Sequence, residues 1–302
     1  MAETHEHHEP QPPQAAANAS PGAAGDAAAP SPIESLEIDL LLGGIYHRTG
    51  VDYRDHAREP LRRRLWAQVQ RERLTTITAL IERVLHDDAA MQRLLLDLSL
   101  APAAMFREPA FFLALRERVV PLLKSYSFIR VWLAGCSTGE ELYSLAIVLE
   151  EEGLYDRTRL YATDMNETVL RRAQAGIYPI EVMQEYTANY MRSGAHAHFS
   201  DYYSARYEHA IFRQELRRNV VFAHHNLVTD GPFNEFHLIL CRDVLSGYND
   251  RLRGRVNEVF FDSLRRFGIL ALGRNDSIAG SRHEPDFQAI PGDERLFQRM
   301  AP

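Results

Sequence analysis

Two cysteines, Cys136 and Cys241, are all that 302 residues contain. So few rule out a disulfide framework and fit a reducing cytosol. No run of 18 or more apolar residues occurs, so no membrane-spanning helix is expected. Basic residues are not in surplus: 34 Lys and Arg face 41 Asp and Glu, a formal net charge of −7. Such a balance excludes wholesale neutralisation of phosphates, and no nucleic-acid partner is expected. The first residues carry Glu3, Glu6 and Glu9 where a signal peptide needs basic residues before an apolar stretch. A cytoplasmic location follows as the expectation. His, Cys and carboxylate spacings recommend no metal site; His5, His7 and His8 lie in a segment with no preorganised geometry.

What is present falls into three stretches. Residues 1–30 are rich in Ala, Pro, Gly, His and Gln, bury little and read as a disordered tail. Residues 31–105 read as a helical domain. Ser31-Pro32-Ile33-Glu34 is a helix-start signature, with Pro at the first helical position and Glu three residues after Ser. Apolar residues three and four apart then predict helices over 36–46, 58–70, 75–85 and 89–98. From Phe128 the texture changes to short apolar runs alternating with helical stretches. Strands are predicted at 129–134, 159–163, 219–225, 236–241 and 268–273, and helices at 141–151, 168–176 and 253–266. That alternation implies an α/β domain over 106–302 with a mostly parallel sheet covered on both faces. Residues 196–218, rich in Tyr, His and Arg, read as an insertion of short strands or loop.

Two motifs carry chemistry. AGCSTGEE (134–141) follows a predicted strand, and Gly135 and Gly139 permit a tight turn with close backbone approach to a ligand. A purely structural turn is the other reading. YATDM (161–165) places Asp164 at the end of the next strand, where a carboxylate can accept from both hydroxyls of a ribose. Its alternative is a helix N-cap by Asp164 or Asn166. Together they point to an adenosine-containing cofactor and leave open which one.

The blocks FREPAFF (106–112), RVWLAGCSTGEELYSLAIVLEE (130–151), YATDMNETVLRRAQAGIYP (161–179), HNL (225–227) and ILCRDVL (239–245) together resemble the CheR-type chemotaxis receptor methyltransferases. The resemblance runs over roughly residues 34–300. It implies a class I, Rossmann-like methyltransferase sheet, an all-helical N-terminal domain and a small β-subdomain inserted late in the sheet, near 196–218. It also implies S-adenosylmethionine as cofactor, S-adenosylhomocysteine as product, and methyl esterification of glutamates on the cytoplasmic domain of a chemotaxis-type receptor, by a monomer. Arg107, Glu140 or Glu141, Asp164, Asn226, Leu227, Arg242 and Asp243 would form the cofactor site, beside the Gly135 turn.

The chemistry suits these residue types. A glutamate is already ionised at neutral pH, so catalysis reduces to alignment and exclusion of water. Arg107 is the candidate for orienting a carboxylate, of substrate or cofactor, and a surface ion pair with Glu108 or a neighbour is the plainer reading. Asn226 suits an adenine edge or, alternatively, a turn. His224 and His225 read as packing or capping residues. The basic run Arg54, Arg58, Arg62, Arg63, Arg64, Arg71 and Arg73 reads as a solvated helix face, or as a surface steering an acidic receptor.

The chain departs from the family in two places. Ala101 and Ala103 stand where the family has a polar Asn-x-Thr pattern. In CRDVLSGYND (241–250), Asp243 replaces Asn and the family's tyrosine falls on Gly247, leaving Tyr248 one place later as the candidate catalytic tyrosine. Asp243 brings a negative charge near a sulfonium, favouring cofactor and repelling a substrate carboxylate. A CheR-like module that binds cofactor and partner but turns over poorly is therefore the alternative function.

Overall fold

The computed structural model describes residues 31–99, 103–292 and 295–300. The tail 1–30 and Ala101 lie outside them. Chain order begins with four helices, α1 (Pro32–Thr49), α2 (Arg58–Arg71), α3 (Ile77–His86) and α4 (Asp88–Ser99). The start of α1 follows the cap chemistry: Ser31 Oγ accepts from the Glu34 N–H at 3.1 Å, and Pro32 opens the helix. Gly50, in the left-handed region at φ 74°, ends it. Ile38, Leu41, Leu42 and Ile45 of α1 meet Leu61 and Leu65 of α2, Leu80 and Val84 of α3 and Leu94 of α4 in a core of their own.

The remainder is the α/β unit. It opens with α5 (Pro109–Ala114), a π-wound turn Leu115–Val119 and α6 (Val120–Leu123). Next come β1 (Ile129–Ala134), α7 (Glu140–Glu151), β2 (Thr158–Asp164) and α8 (Glu167–Ala175). An excursion follows: β3 (Ile177–Pro179), α9 (Met183–Arg192), β4 (Tyr203–Arg206) and β5 (His209–Phe212). The chain then returns through β6 (Val220–His224), β7 (Phe236–Cys241), α10 (Asp250–Ser263), β8 (Leu264–Leu272), β9 (Phe287–Ala289) and β10 (Leu296–Arg299).

Seven strands form one sheet in the order β6-β2-β1-β7-β8-β10-β9, parallel from β6 to β8, with β10 antiparallel to both its neighbours. Strand periodicity divides the core into two. Val131 and Leu133 of β1 pack on one face with Leu142, Leu145 and Leu149 of α7; Trp132 and Ala134 pack on the other with Leu252, Val256 and Phe260 of α10. Between β1 and β7 the strand order reverses direction. That is where an open parallel sheet leaves a crevice at the carboxyl ends of its strands.

The inserted sheet differs from the expected segment. It is three-stranded and antiparallel in the order β3-β5-β4, and β3 comes from residues 177–179, ahead of 196–218. The chain leaves the main sheet after α8 and returns at β6, between the second and third strands of that sheet in chain order rather than late in it. A three-residue strand is too short for alternation to reveal it, and Tyr178 pairs with Ala210, far along the chain.

Candidate functional site

The turn after β1 is held open by conformation. Gly135 sits at φ 75°, and a Cβ there would come within 2.7 Å of Val244 Cγ2, so only glycine lets the 243–244 segment approach. Gly139 (φ 95°) serves packing: a Cβ would meet Ala173 of α8 at 2.9 Å. Its role is therefore helix approach rather than the ligand approach expected from sequence. Between them Ser137 takes φ 48°, and its N–H donates to Asp164 Oδ2 at 3.1 Å. Asp164 Oδ1 accepts from the Asn166 N–H at 3.0 Å. The side chain that caps α8 is Asn166, through the Thr168 N–H at 2.9 Å, so Asp164 remains aimed at the crevice. Burial raises the Asp164 carboxyl above its ordinary range, opposed by the backbone N–H groups of Asn166 and Ser137. A carboxylate oxygen accepts more than one donor, so both oxygens keep capacity for a diol.

Asp164, Gly135, Ser137, Leu227 and Asp243 line a cleft of about 860 Å³ including its open mouth. A second pocket meets it at Gly135 and Ser137, walled by Arg107, Glu140, Glu141 and Arg242. Here the two adjacent glutamates separate. Glu141 is committed to Arg242 at 2.6 Å, and Glu108 holds the same guanidinium, which lies 4.0 Å over the Phe111 ring. Glu140 is 7% exposed, and its carboxylate accepts from Thr138 Oγ1 at 2.7 Å and from its own backbone N–H. Burial without a cation raises its pKa. An ammonium group placed there would supply the missing charge.

Arg107 projects from a strained loop. Phe106 (φ 50°) and Glu108 (φ 57°) flank it in the left-handed region, which is costly for bulky residues. The Phe106 N–H donates to Ser144 Oγ at 2.9 Å, and its ring packs against Phe112 and Tyr190. Arg107 is ion-paired to Asp243, itself at φ 59°. Phe106, Glu108, Ser137 and Asp243 are four of the seven non-glycine residues at positive φ among the described residues. Strain concentrated at one place marks a functional site, since each such residue costs about 1–3 kcal/mol and survives only where its surroundings enforce it.

The opposite wall comes from the helical domain. Tyr53, His56, Arg64 and Ser99 line the same cleft as Tyr248. His56 and Tyr248 form an antiparallel bridge, with their rings edge-on at 4.9 Å. The Ala57 N–H donates to the Gly247 carbonyl at 2.7 Å, and the Asn249 N–H to the Asp55 carbonyl at 2.9 Å. Burial, with Arg64 adding to it, pushes the His56 pKa down to about 4. Most of the basic run is neutralised locally: Arg54 by Asp52, Arg58 by Asp39, Arg62 by Glu34, Arg71 by Asp97. Arg64 instead donates to the Leu98 carbonyl at 2.7 Å while bordering the cleft.

Thus Arg107, Gly135, Glu140, Glu141, Asp164, Leu227, Arg242, Asp243 and Tyr248 converge on the two pockets. Asn226 does not: its side-chain carbonyl accepts from the Val228 N–H at 2.9 Å and its N–H donates to Asp230, the turn role weighed as its alternative. His225 takes its place on the cleft wall. The one-residue shift at 247–248 leaves a tyrosine in the cleft, because a 3₁₀ turn over Leu245–Gly247 delivers Tyr248 in extended conformation. Exposed Ala103 lies on the second pocket, without the side-chain donor of the family pattern. Sequence reasoning missed Tyr53, His56 and Ser99 altogether; for Arg64, its place in the basic run was the only signal. Among the described residues no helix is long and apolar enough to cross a membrane, and no group of His, Cys and carboxylates has metal-site geometry.

A family model described as CheR methyltransferase, SAM binding domain, matches residues 102–295; one described as CheR methyltransferase, all-alpha domain, matches residues 36–99. The chain is 43% identical over 264 residues to a protein of Pseudomonas putida KT2440 carrying the name methyltransferase Cher3, covering 87% of this chain and 97% of that one. It is 29% identical over 250 residues to the chemotaxis protein methyltransferase of Listeria innocua, covering 82% and 92% respectively. Against that of Escherichia coli K12 the identity is 29% over 250 residues, covering 78% and 82%.

Proposed function

Because the chain belongs to the CheR methyltransferase family, with the family's helical and S-adenosylmethionine-binding domains both matched, we propose that it methylates glutamate side chains on the cytoplasmic domain of a chemotaxis-type receptor. S-adenosylmethionine supplies an electrophilic methyl group on a sulfonium. Asp164 accepts from the ribose hydroxyls, Glu140 faces the ammonium of the amino-acid end, and Arg107 faces its carboxylate. A glutamate acceptor is ionised at neutral pH, so the cleft needs no general base; its task is to hold carboxylate and methyl in line and keep water out. Arg64 and Tyr248, one from each domain, border the space where the acceptor enters. The observation that carries the reading is this shared cleft: an adenosyl-type wall on the sheet side faces a guanidinium on the helical side. A small-molecule acceptor would not call for a second domain there. We place the reaction in the cytoplasm and assign it to a monomer. Incubation with labelled S-adenosylmethionine and receptor cytoplasmic fragments yields base-labile methyl esters on this reading; absence of label while the cofactor demonstrably binds defeats it.

The Arg107–Asp243 ion pair favours a second reading, a cofactor-binding regulatory module of low turnover. Asp243 occupies the arginine and adds a charge that repels a carboxylate substrate. Exchanging Asp243→Asn together with Gly247→Tyr then raises activity sharply. Space permits it, since a Cβ on Gly247 meets nothing within 4 Å. Unchanged activity in the double variant rejects the module.

A further inference from the structure

The two pockets meet at Gly135 and Ser137, and a single ion pair spans that junction. Asp243 lines the adenosyl-side cleft; Arg107 lines the pocket of Glu140 and Glu141. In S-adenosylmethionine the sulfur is the atom joining the adenosyl part to the amino-acid part. A ligand filling both pockets therefore carries its sulfur past this junction. Cofactor and product differ there by one methyl group and one positive charge.

We propose that Asp243 makes this site read the charge on sulfur, holding the sulfonium cofactor and releasing the neutral thioether product. This rests on the placement of the cofactor proposed above. Asp243 is suited to the task because its backbone is pinned in place. It sits at φ 59°, its N–H donates to Asp276 Oδ2 at 2.6 Å, and a Cβ on Gly273 would fall 2.6 Å from its nitrogen. Its side chain is 13% exposed, so its charge is weakly screened. Arg107, more exposed at 30%, is the partner able to move. Arg107 is also the cation facing the amino-acid carboxylate. With a sulfonium present, Asp243 stays compensated when Arg107 turns to that carboxylate. With a thioether, the same turn strands a buried anion, which disfavours the product complex.

The test is calorimetric titration of the full chain with S-adenosylmethionine, S-adenosylhomocysteine and sinefungin, whose amine-bearing carbon replaces the sulfonium. Asp243→Asn, nearly isosteric and tolerant of the left-handed region, is expected to shift the affinity ratio of each cationic ligand to S-adenosylhomocysteine about tenfold toward the product. Arg107→Gln weakens all three through the lost carboxylate contact, yet moves both ratios the opposite way, because Asp243 is left uncompensated. Ratios that stay within about twofold of wild type in both variants overturn the proposal, since no charge is then being read. A shift for S-adenosylmethionine without one for sinefungin overturns it too, because the methyl group rather than the charge is then sensed. Failure of the wild-type chain to bind any of the three strikes at the cofactor placement itself.

Discussion

The two walls of the cleft are built by different physics. The sheet-side wall stores conformational strain: four non-glycine residues in the left-handed region, each pinned by neighbours such as Ser144 on Phe106 and Asp276 on Asp243. The helical wall stores none of it. Tyr53, His56 and Arg64 border the cleft with ordinary backbone, and a short bridge at His56–Tyr248 with a few hydrogen bonds docks them. A preformed wall suits a cofactor of fixed shape, since ordering cost is met in folding rather than on binding. A lightly docked wall suits a protein substrate that must slide in and out. The difference teaches that cofactor affinity and acceptor handling should be separable by mutation.

The largest effect belongs to the preformed wall. Asp164→Ala removes both acceptors for a ribose and unties the Ser137 and Asn166 N–H groups. Hydrogen bonds to a charged acceptor contribute about 1.5–3 kcal/mol each, so affinity for S-adenosylmethionine should fall 100-fold or more by titration. A fall below tenfold would detach Asp164 from the ribose. Next is the helical wall. Arg64→Ala leaves cofactor affinity within about twofold, while methylation kcat/KM drops roughly 10–100-fold with the loss of a charge-assisted contact. Arg64→Lys recovers only part, because an ammonium lacks the guanidinium's fork. If cofactor affinity falls as far as kcat/KM, the two walls are not separable.

Acid sensitivity comes third and also belongs to the helical wall. His56 has its pKa lowered to about 4, with burial as the main cause. Between about pH 6.5 and 4 the unfolded chain binds a proton there and the folded chain does not. Stability therefore rises with pH across that window and is lost as pH falls through it. Allowing for partial exposure, the contribution is roughly 1–2 kcal/mol. His237, also buried and lowered to about 4, acts in the same direction from the β7 side. Urea unfolding of His56→Gln at pH 7 and pH 5 should show a shallower pH slope than wild type. An unchanged slope assigns the effect to His237 alone.

The sheet-side wall was the legible one, and the reason is local. Short continuous apolar runs, IRVWLA and FHLILC, buried on both faces, mark β1 and β7 to the residue, and a turn with two glycines followed by an acidic strand end announces a nucleotide crevice. Glu140 and Glu141 remained indistinct because neighbours on a helix differ only in direction, which the Arg242 pairing then decides. Asn226 misled because Asn suits an adenine edge and an Asx turn equally. The helical wall was illegible for a different cause: His56 and Arg64 acquire meaning only once two domains dock, and no periodicity within 58–71 tells which arginine faces inward. β3 was hidden by its brevity.

The smallest effect tests the docking seam directly. Asn249 caps α10 through the Leu252 N–H at 2.9 Å, while its Nδ2 donates to Asp55 Oδ1 at 3.2 Å across the domain boundary. Asn249→Ala loses both, with the cap worth about 1 kcal/mol in urea unfolding. Asn249→Asp separates the two roles: aspartate caps equally well, but its charge faces Asp55. The seam then loosens while α10 stays capped. Cofactor affinity, set by the strained wall, should hold, and methylation kcat/KM should fall about threefold, the scale of one partly exposed like-charge contact. Equal losses in both would mean that the helical domain helps to shape the cofactor's own wall, and the division between a preformed side and a docked side would fail at this residue.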